Sequence, residues 1–172
     1  MCMNWTRTIL DGLAMAAYFN LFAAAVALYR PRLMFPCYPP AILKAAKAPP
    51  TGAETRFYWL WICFGEWLPL LLYGAVSAAE GGTTEFWPLA LTGYVQWMTV
   101  NFCDLFFLDY WLIQKKAKHR FVIPGTEGHS GYEFSVWMKG YALPEHLLQW
   151  PLILCPILAA AQAGLGLLLQ TL

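Results

Sequence analysis

Four stretches of the chain, approximately 8–29, 57–79, 86–112 and 147–172, run for twenty residues or more with almost no charge. That is the length an α-helix needs to cross a hydrocarbon layer about 30 Å thick. Inside such a layer only helices and closed barrels satisfy every backbone group. Composition agrees: 59% of the 172 residues are hydrophobic and 12% are charged, against about 25% charged in a water-soluble domain. The chain reads as all-α, an integral membrane four-helix bundle forming one domain over residues 1–172. Asp11 and Asn20 interrupt the first stretch and a single Arg precedes it, so it is expected to be a retained helix rather than a cleaved leader. No sequence period of 20–50 residues recurs, which excludes a solenoid.

Charge sets the expected orientation. Segment 30–56 carries Arg30, Arg32, Lys44, Lys47 and Arg56, and segment 113–146 carries Lys115, Lys116, Lys118, Arg120 and Lys139. The turn 80–85 has no basic residue. The positive-inside rule places both basic segments in the cytoplasm and both termini outside. Each basic segment also holds an amphipathic stretch, expected to form a short cytoplasmic helix on the inner leaflet. One is Pro39–Lys47, with Ile42, Leu43 and Ala46 on one face, and the other is the stripe Phe134, Trp137, Met138, Tyr141. Aromatic residues near the span ends, among them Trp5, Tyr29, Tyr58, Trp59, Trp87 and Trp150, are read as interfacial anchors. Net charge +1 leaves no surplus for phosphates, so nucleic acid is excluded as a partner.

Polar residues inside a membrane are costly and need a reason. Glu66 lies nine residues from Phe57, Asp104 nine before Ile113 and Asn20 nine before Tyr29. At 1.5 Å per residue each falls roughly 14 Å from the cytoplasmic boundary, near mid-bilayer. Asn101 shares a helix face with Asp104. Asp109, about 140° further round an α-helix, is expected to face elsewhere, paired with the nearby lysines. Pro69 cannot donate to the Gly65 carbonyl, which predicts a kink and a free backbone acceptor beside Glu66; Pro151 and Pro156 kink the last span similarly. Glu66, Asp104, Asn101 and Asn20 are therefore the candidate ligand-binding residues of an intramembrane pocket. Glu66 and Asp104 are expected to face each other across it, holding fewer than two negative charges, with Asn20 or Asn101 as hydrogen-bond partner.

The cysteines (Cys2, Cys37, Cys63, Cys103, Cys155) form no CxxC pair, and those within apolar runs read as inert small hydrophobes. His119, His129 and His146 fall outside the apolar stretches, so no pair of haem-ligating imidazoles is expected. After the third span comes a loop of turn-forming residues around Pro124-Gly125. Within it Glu127 and His129 are candidate catalytic acid/base residues or metal ligands, expected to fold back over the bundle mouth. The run Arg120-Phe-Val-Ile-Pro-Gly-Thr-Glu-Gly, following Asp104-x-x-x-x-Asp109, resembles a segment of uncharacterised small bacterial four-helix membrane proteins over about thirty residues. The resemblance implies a bacterial inner-membrane location and no particular activity. Signatures of the quinone-coupled disulfide oxidases, glutathione-handling eicosanoid enzymes and tryptophan-rich sensory proteins are absent from the sequence.

Three functions fit these residues. The acidic pocket, open toward the cytoplasm, binds or transports a proton, a cation or a cationic amphipathic ligand. Alternatively, Glu127, His129 and Asp104 serve a membrane enzyme acting on a lipid or isoprenoid at the inner leaflet. In the third, the chain is a structural or accessory subunit whose polar layer only holds helices together. Membrane lipids are the expected surroundings, a homodimer is compatible with the sequence, and no cofactor is indicated.

Overall fold

The computed structural model describes residues 4–81 and 83–171; Cys2, Gly82 of the predicted turn and Leu172 of the last predicted span lie outside the described residues. Among the described residues all regular structure is helical. Helix α1 is Trp5–Tyr29, α2 is Pro40–Ala45, and α3 runs Gly52–Glu80. Helix α4 covers 86–116 and α5 is Phe134–Leu169. Three of them, α1, α3 and α5, are long and apolar enough to cross a membrane. Helix α4 is long enough but diluted by Gln96, Asn101, Asp104, Asp109 and Gln114.

Local sequence explains the boundaries. The Asn4 side chain accepts a hydrogen bond from the Arg7 amide and starts α1. Thr51 and Glu54 form a reciprocal capping box at the start of α3. The long helices pack in a ring: α1 against α4, α4 against α5, and α3 against both α5 and α1. Small residues permit the close approaches. A Cβ on Gly12 would stand 3.1 Å from Thr99, and one on Gly74 would stand 2.4 Å from the Gln162 Oε1. Gln162 uses that space to accept from Trp97 Nε1 (3.0 Å) and donate to Gln96 Oε1 (2.7 Å), a buried polar tie between α4 and α5.

Pro69, Pro151 and Pro156 do not interrupt α3 or α5; each lies within or beside a wide turn. Leu68 N–H reaches the Cys63 carbonyl and Cys155 N–H reaches the Trp150 carbonyl, both five residues back. The Gly65 carbonyl that Pro69 leaves unpaired is taken by the Tyr18 hydroxyl at 2.6 Å, so the predicted free acceptor is occupied. Because α5 continues through Pro144 and Pro151, the stripe Phe134–Tyr141 forms its first turns rather than a separate interfacial helix. The last helix begins at 134, not 147. Its Trp137 and Met138 are buried in the core.

At the basic end, α2 and the segments around it pack down as a plug. Ile42 is fully buried, and the Tyr38 hydroxyl donates to the Phe121 carbonyl at 2.7 Å. The Tyr132 hydroxyl accepts the Ile123 N–H at 3.0 Å and sits 2.9 Å from the Thr126 hydroxyl. Lysines 44 and 47 stay exposed on the outer surface of this plug.

Candidate functional site

Above the plug, where α1, α3, α4 and α5 converge, lies a cavity of about 320 Å³. Its walls are rich in aromatic side chains, including Phe19, Tyr58, Trp67, Trp137 and Trp150. Four carboxylates line it as well: Glu66 from α3, Asp104 and Asp109 from α4, and Glu145 from α5. Among the described residues, His146 is the sole basic side chain on the wall.

The α4 carboxylates share this cavity because α4 changes pitch. From Leu105 to Lys116 it runs in π-type turns. Residues five apart then lie nearly above one another, which corrects the expectation that Asp104 and Asp109 point different ways. Asp109 pairs with none of the lysines. It is buried, accepts from Trp137 Nε1 at 2.9 Å and lies 2.9 Å from His146 Nε2. Asp104 stands 3.8 Å from the same nitrogen.

His146 is the largest revision to the sequence reading. It does not sit outside the apolar core: its exposure is 1% and it stacks on Trp150. Asn101 fixes its tautomer. The Asn101 amide donates to the His146 carbonyl at 2.8 Å, which turns Oδ1 toward His146 Nδ1 at 2.7 Å. A carbonyl oxygen only accepts, so Nδ1 carries a hydrogen. The Nε2···Asp109 contact must then hold one further proton, on either the ring or the carboxyl. Asn101, His146, Asp109 and Trp137 thus form a continuous chain opening toward Asp104.

Glu66 lines the cavity from α3, on a π turn, 2% exposed, and its Oε1 has no protein partner among the described residues. Buried polar atoms in proteins are almost always partnered, so this oxygen marks where a ligand group or water belongs. Asn101 serves His146 rather than either carboxylate. Asn20 is off the cavity wall, its amide donating to the Ala16 carbonyl at 2.8 Å. The expectation that one of these amides partners Glu66 or Asp104 is not met.

Glu127 and His129 are placed away from the cavity wall. The exposed Glu127 carboxylate accepts the Gly125 N–H at 2.9 Å, and this backbone donor holds its pKa below the usual carboxylate value. His129 Nδ1 accepts the Gly131 N–H at 3.0 Å. Both side chains shape a turn in which Gly125 and Gly128 adopt positive φ of 86° and 80°. Among the described residues no three His, Cys, Asp or Glu side chains converge as metal ligands. The Cys37 thiol on the cavity floor is pushed up to about 12 by burial, which keeps it protonated and unreactive at neutral pH.

Tyr58, Trp59 and Trp150, read from sequence as interfacial anchors, also line the cavity, whereas Trp5, Tyr29 and Trp87 are exposed as anchors should be. The signal for His146 is its position between Pro144 and Pro151. A helix extended through both prolines puts His146 on the same face as Trp150. Comparison of the chain with known protein families, curated proteins and solved structures finds no match.

Proposed function

We propose that this chain is a small four-helix protein of the bacterial inner membrane, both termini outside, whose acidic aromatic cavity binds a cation. The single observation behind this reading is the charge of the cavity wall. Four carboxylates and one imidazole line it, with no Lys or Arg among the described residues, in a chain that has 11 such residues elsewhere. Uncompensated acids at this depth need a positive partner. A proton on the His146–Asp109 pair supplies part of that charge, and a bound cation supplies the rest. Aromatic walls favour an organic cation, whose diffuse charge interacts with ring faces. The orientation rests on ten basic residues in segments 30–56 and 113–146 and none in turn 80–85.

The test is titration of the protein in lipid nanodiscs with benzyltrimethylammonium, its neutral isostere neopentylbenzene, and benzenesulfonate. Saturable binding of the ammonium alone is expected. Equal binding of the neutral isostere overturns the reading.

A second reading draws on one observation, the fixed tautomer of His146. A proton-sharing imidazole–carboxylate pair facing a cavity is also what acid–base chemistry on a lipid or isoprenoid requires. It differs from the first reading in needing turnover, detectable as chemical change in extracted lipids incubated with the protein.

A further inference from the structure

Buried side chains stand above and below the cavity. Its floor is the buried trio Tyr38, Phe121 and Trp137, with the Tyr38–Phe121 hydrogen bond stitching the segments after α1 and α4 together. The Tyr141 hydroxyl donates to the Cys37 carbonyl across the same floor. Its roof is Phe19 set edge-on against Trp150, with the fully buried Trp97 and Met15 in the core beyond.

One lining residue is exposed. Trp59, on the basic-end half of α3, has half its surface accessible, whereas every other residue of the wall is buried or half-buried. The helix packing explains this. Leu68–Glu80 of α3 lies closely along Cys155–Leu169 of α5, but no comparable contact joins Gly52–Trp67 to Glu145–Leu154. Below their π turns the two helices part. The outer faces of both helices along this stretch are apolar and exposed: Leu60 and Phe64 on α3, Leu148 and Leu152 on α5. Such faces suit acyl chains, not water. At about 320 Å³ the cavity is at the small end for ligand sites. It therefore has room for a head group and the start of a chain.

We infer that the cavity is loaded sideways, through the gap beside Trp59, and that its ligand is an amphipathic organic ammonium partitioned in the bilayer. The cationic head sits among Glu66, Asp104 and the aromatic walls, and the apolar tail lies in the gap between α3 and α5. This rests on the acidic-cavity reading above and adds the ligand's tail and its route. Among the described residues no three His, Cys, Asp or Glu side chains converge as metal ligands, and the aromatic walls suit an organic ammonium.

The experiment uses the full chain in lipid nanodiscs and a dodecyltrimethylammonium probe with a diazirine near the tail end. Expected is saturable photolabelling of 52–67 and 145–154, competed by unmodified dodecyltrimethylammonium but not by dodecanol. The long-chain probe should also bind at least roughly tenfold more tightly than tetramethylammonium, equivalent to ~1.4 kcal/mol. Glu66→Gln and Asp104→Asn should each reduce the labelling, and the dodecanol arm in the unaltered protein needs neither variant to fold. Labelling confined to 117–133, or equal affinity for tetramethylammonium, overturns the lateral route while leaving the acidic-cavity reading intact. If no cation of either length binds saturably, both fall.

Discussion

His146 Nε2 and Asp109 Oδ2 lie 2.9 Å apart although the two residues come from different helices, 37 positions apart in the chain. Each is held from behind, His146 by Asn101 and Asp109 by Trp137. Histidine spectra provide a direct check. In protein labelled with 15N-histidine, the His146 signal should show a protonated Nδ1. Asn101→Ala should release that tautomer and, by stranding the His146 carbonyl and ring N–H, cost about 1–3 kcal/mol of stability. A non-protonated Nδ1 in the unaltered protein would contradict the hydrogen-bond chain that runs from Asn101 to Trp137.

Binding should depend on Glu66 and Asp109 unequally. Glu66→Gln removes a carboxyl whose Oε1 has no protein partner among the described residues, so affinity for benzyltrimethylammonium should drop about tenfold or more with little change in melting temperature. Asp109→Asn, by contrast, disturbs contacts to both His146 and Trp137 and should lower stability and binding together. Titration calorimetry paired with thermal unfolding separates the two behaviours.

The turn at Gly125 should loosen in acid. The folded pKa of Glu127 lies below its unfolded value because the Gly125 N–H stabilises the carboxylate. Its contribution is therefore present above the ordinary carboxylate range and lost as pH falls through the folded pKa. Amide exchange at Gly125, corrected for intrinsic rate, should speed up in that acid window and lose this dependence in Glu127→Gln. Cation binding by Glu127→Gln should match the unaltered protein, since Glu127 is remote from the cavity wall. A binding defect would return this loop to the functional site.

Packing around Gln162 gives a stability test. Gly74→Ala puts a methyl 2.4 Å from the Gln162 amide oxygen and must break its bonds to Trp97 and Gln96. A loss of about 1–3 kcal/mol is expected from the overpacking. Gly164→Ala on the same helix as Gln162 meets nothing within 4 Å and should be neutral or slightly stabilising. Equal melting temperatures for the two variants would argue against this tie.

Topology is tested by single cysteines in a background with the native cysteines replaced. Thr84→Cys should react with an impermeant thiol reagent added outside intact cells, and Lys118→Cys only after permeabilisation. The reverse pattern would invert the proposed orientation.

How much of this is legible in the sequence follows from what each residue encodes. Long apolar runs and caps such as Thr51–Glu54 report local structure, and they mark the helices well. The levels of Glu66 and Asp104 can be counted from helix rise, and the structure brings both to the same cavity. The angular relation of Asp104 to Asp109 cannot be counted, because 100° per residue holds only while hydrogen bonds stay four residues long. Nothing in Leu105–Asp109 announces that they lengthen to five. His146 escapes for a related reason: it lies between Pro144 and Pro151, and only tertiary packing shows a helix passing through both. Gln96 and Gln162 stay silent until their partnership across α4 and α5 is visible.

The wide turns of α3, α4 and α5 carry a consequence for how this chain can vary. Every carboxylate on the cavity wall lies within such a turn or directly beside one. A π turn holds one residue more than the α-helical turn it replaces. Inserting a single residue between Asp104 and Asp109 would swing everything after it by about 100°, taking Asp109 away from His146 with its side chain unaltered. The site is thus encoded in spacing as much as in residue identity. Insertions in 63–67, 105–116 and 138–154 should be far less tolerated than substitutions at the same positions.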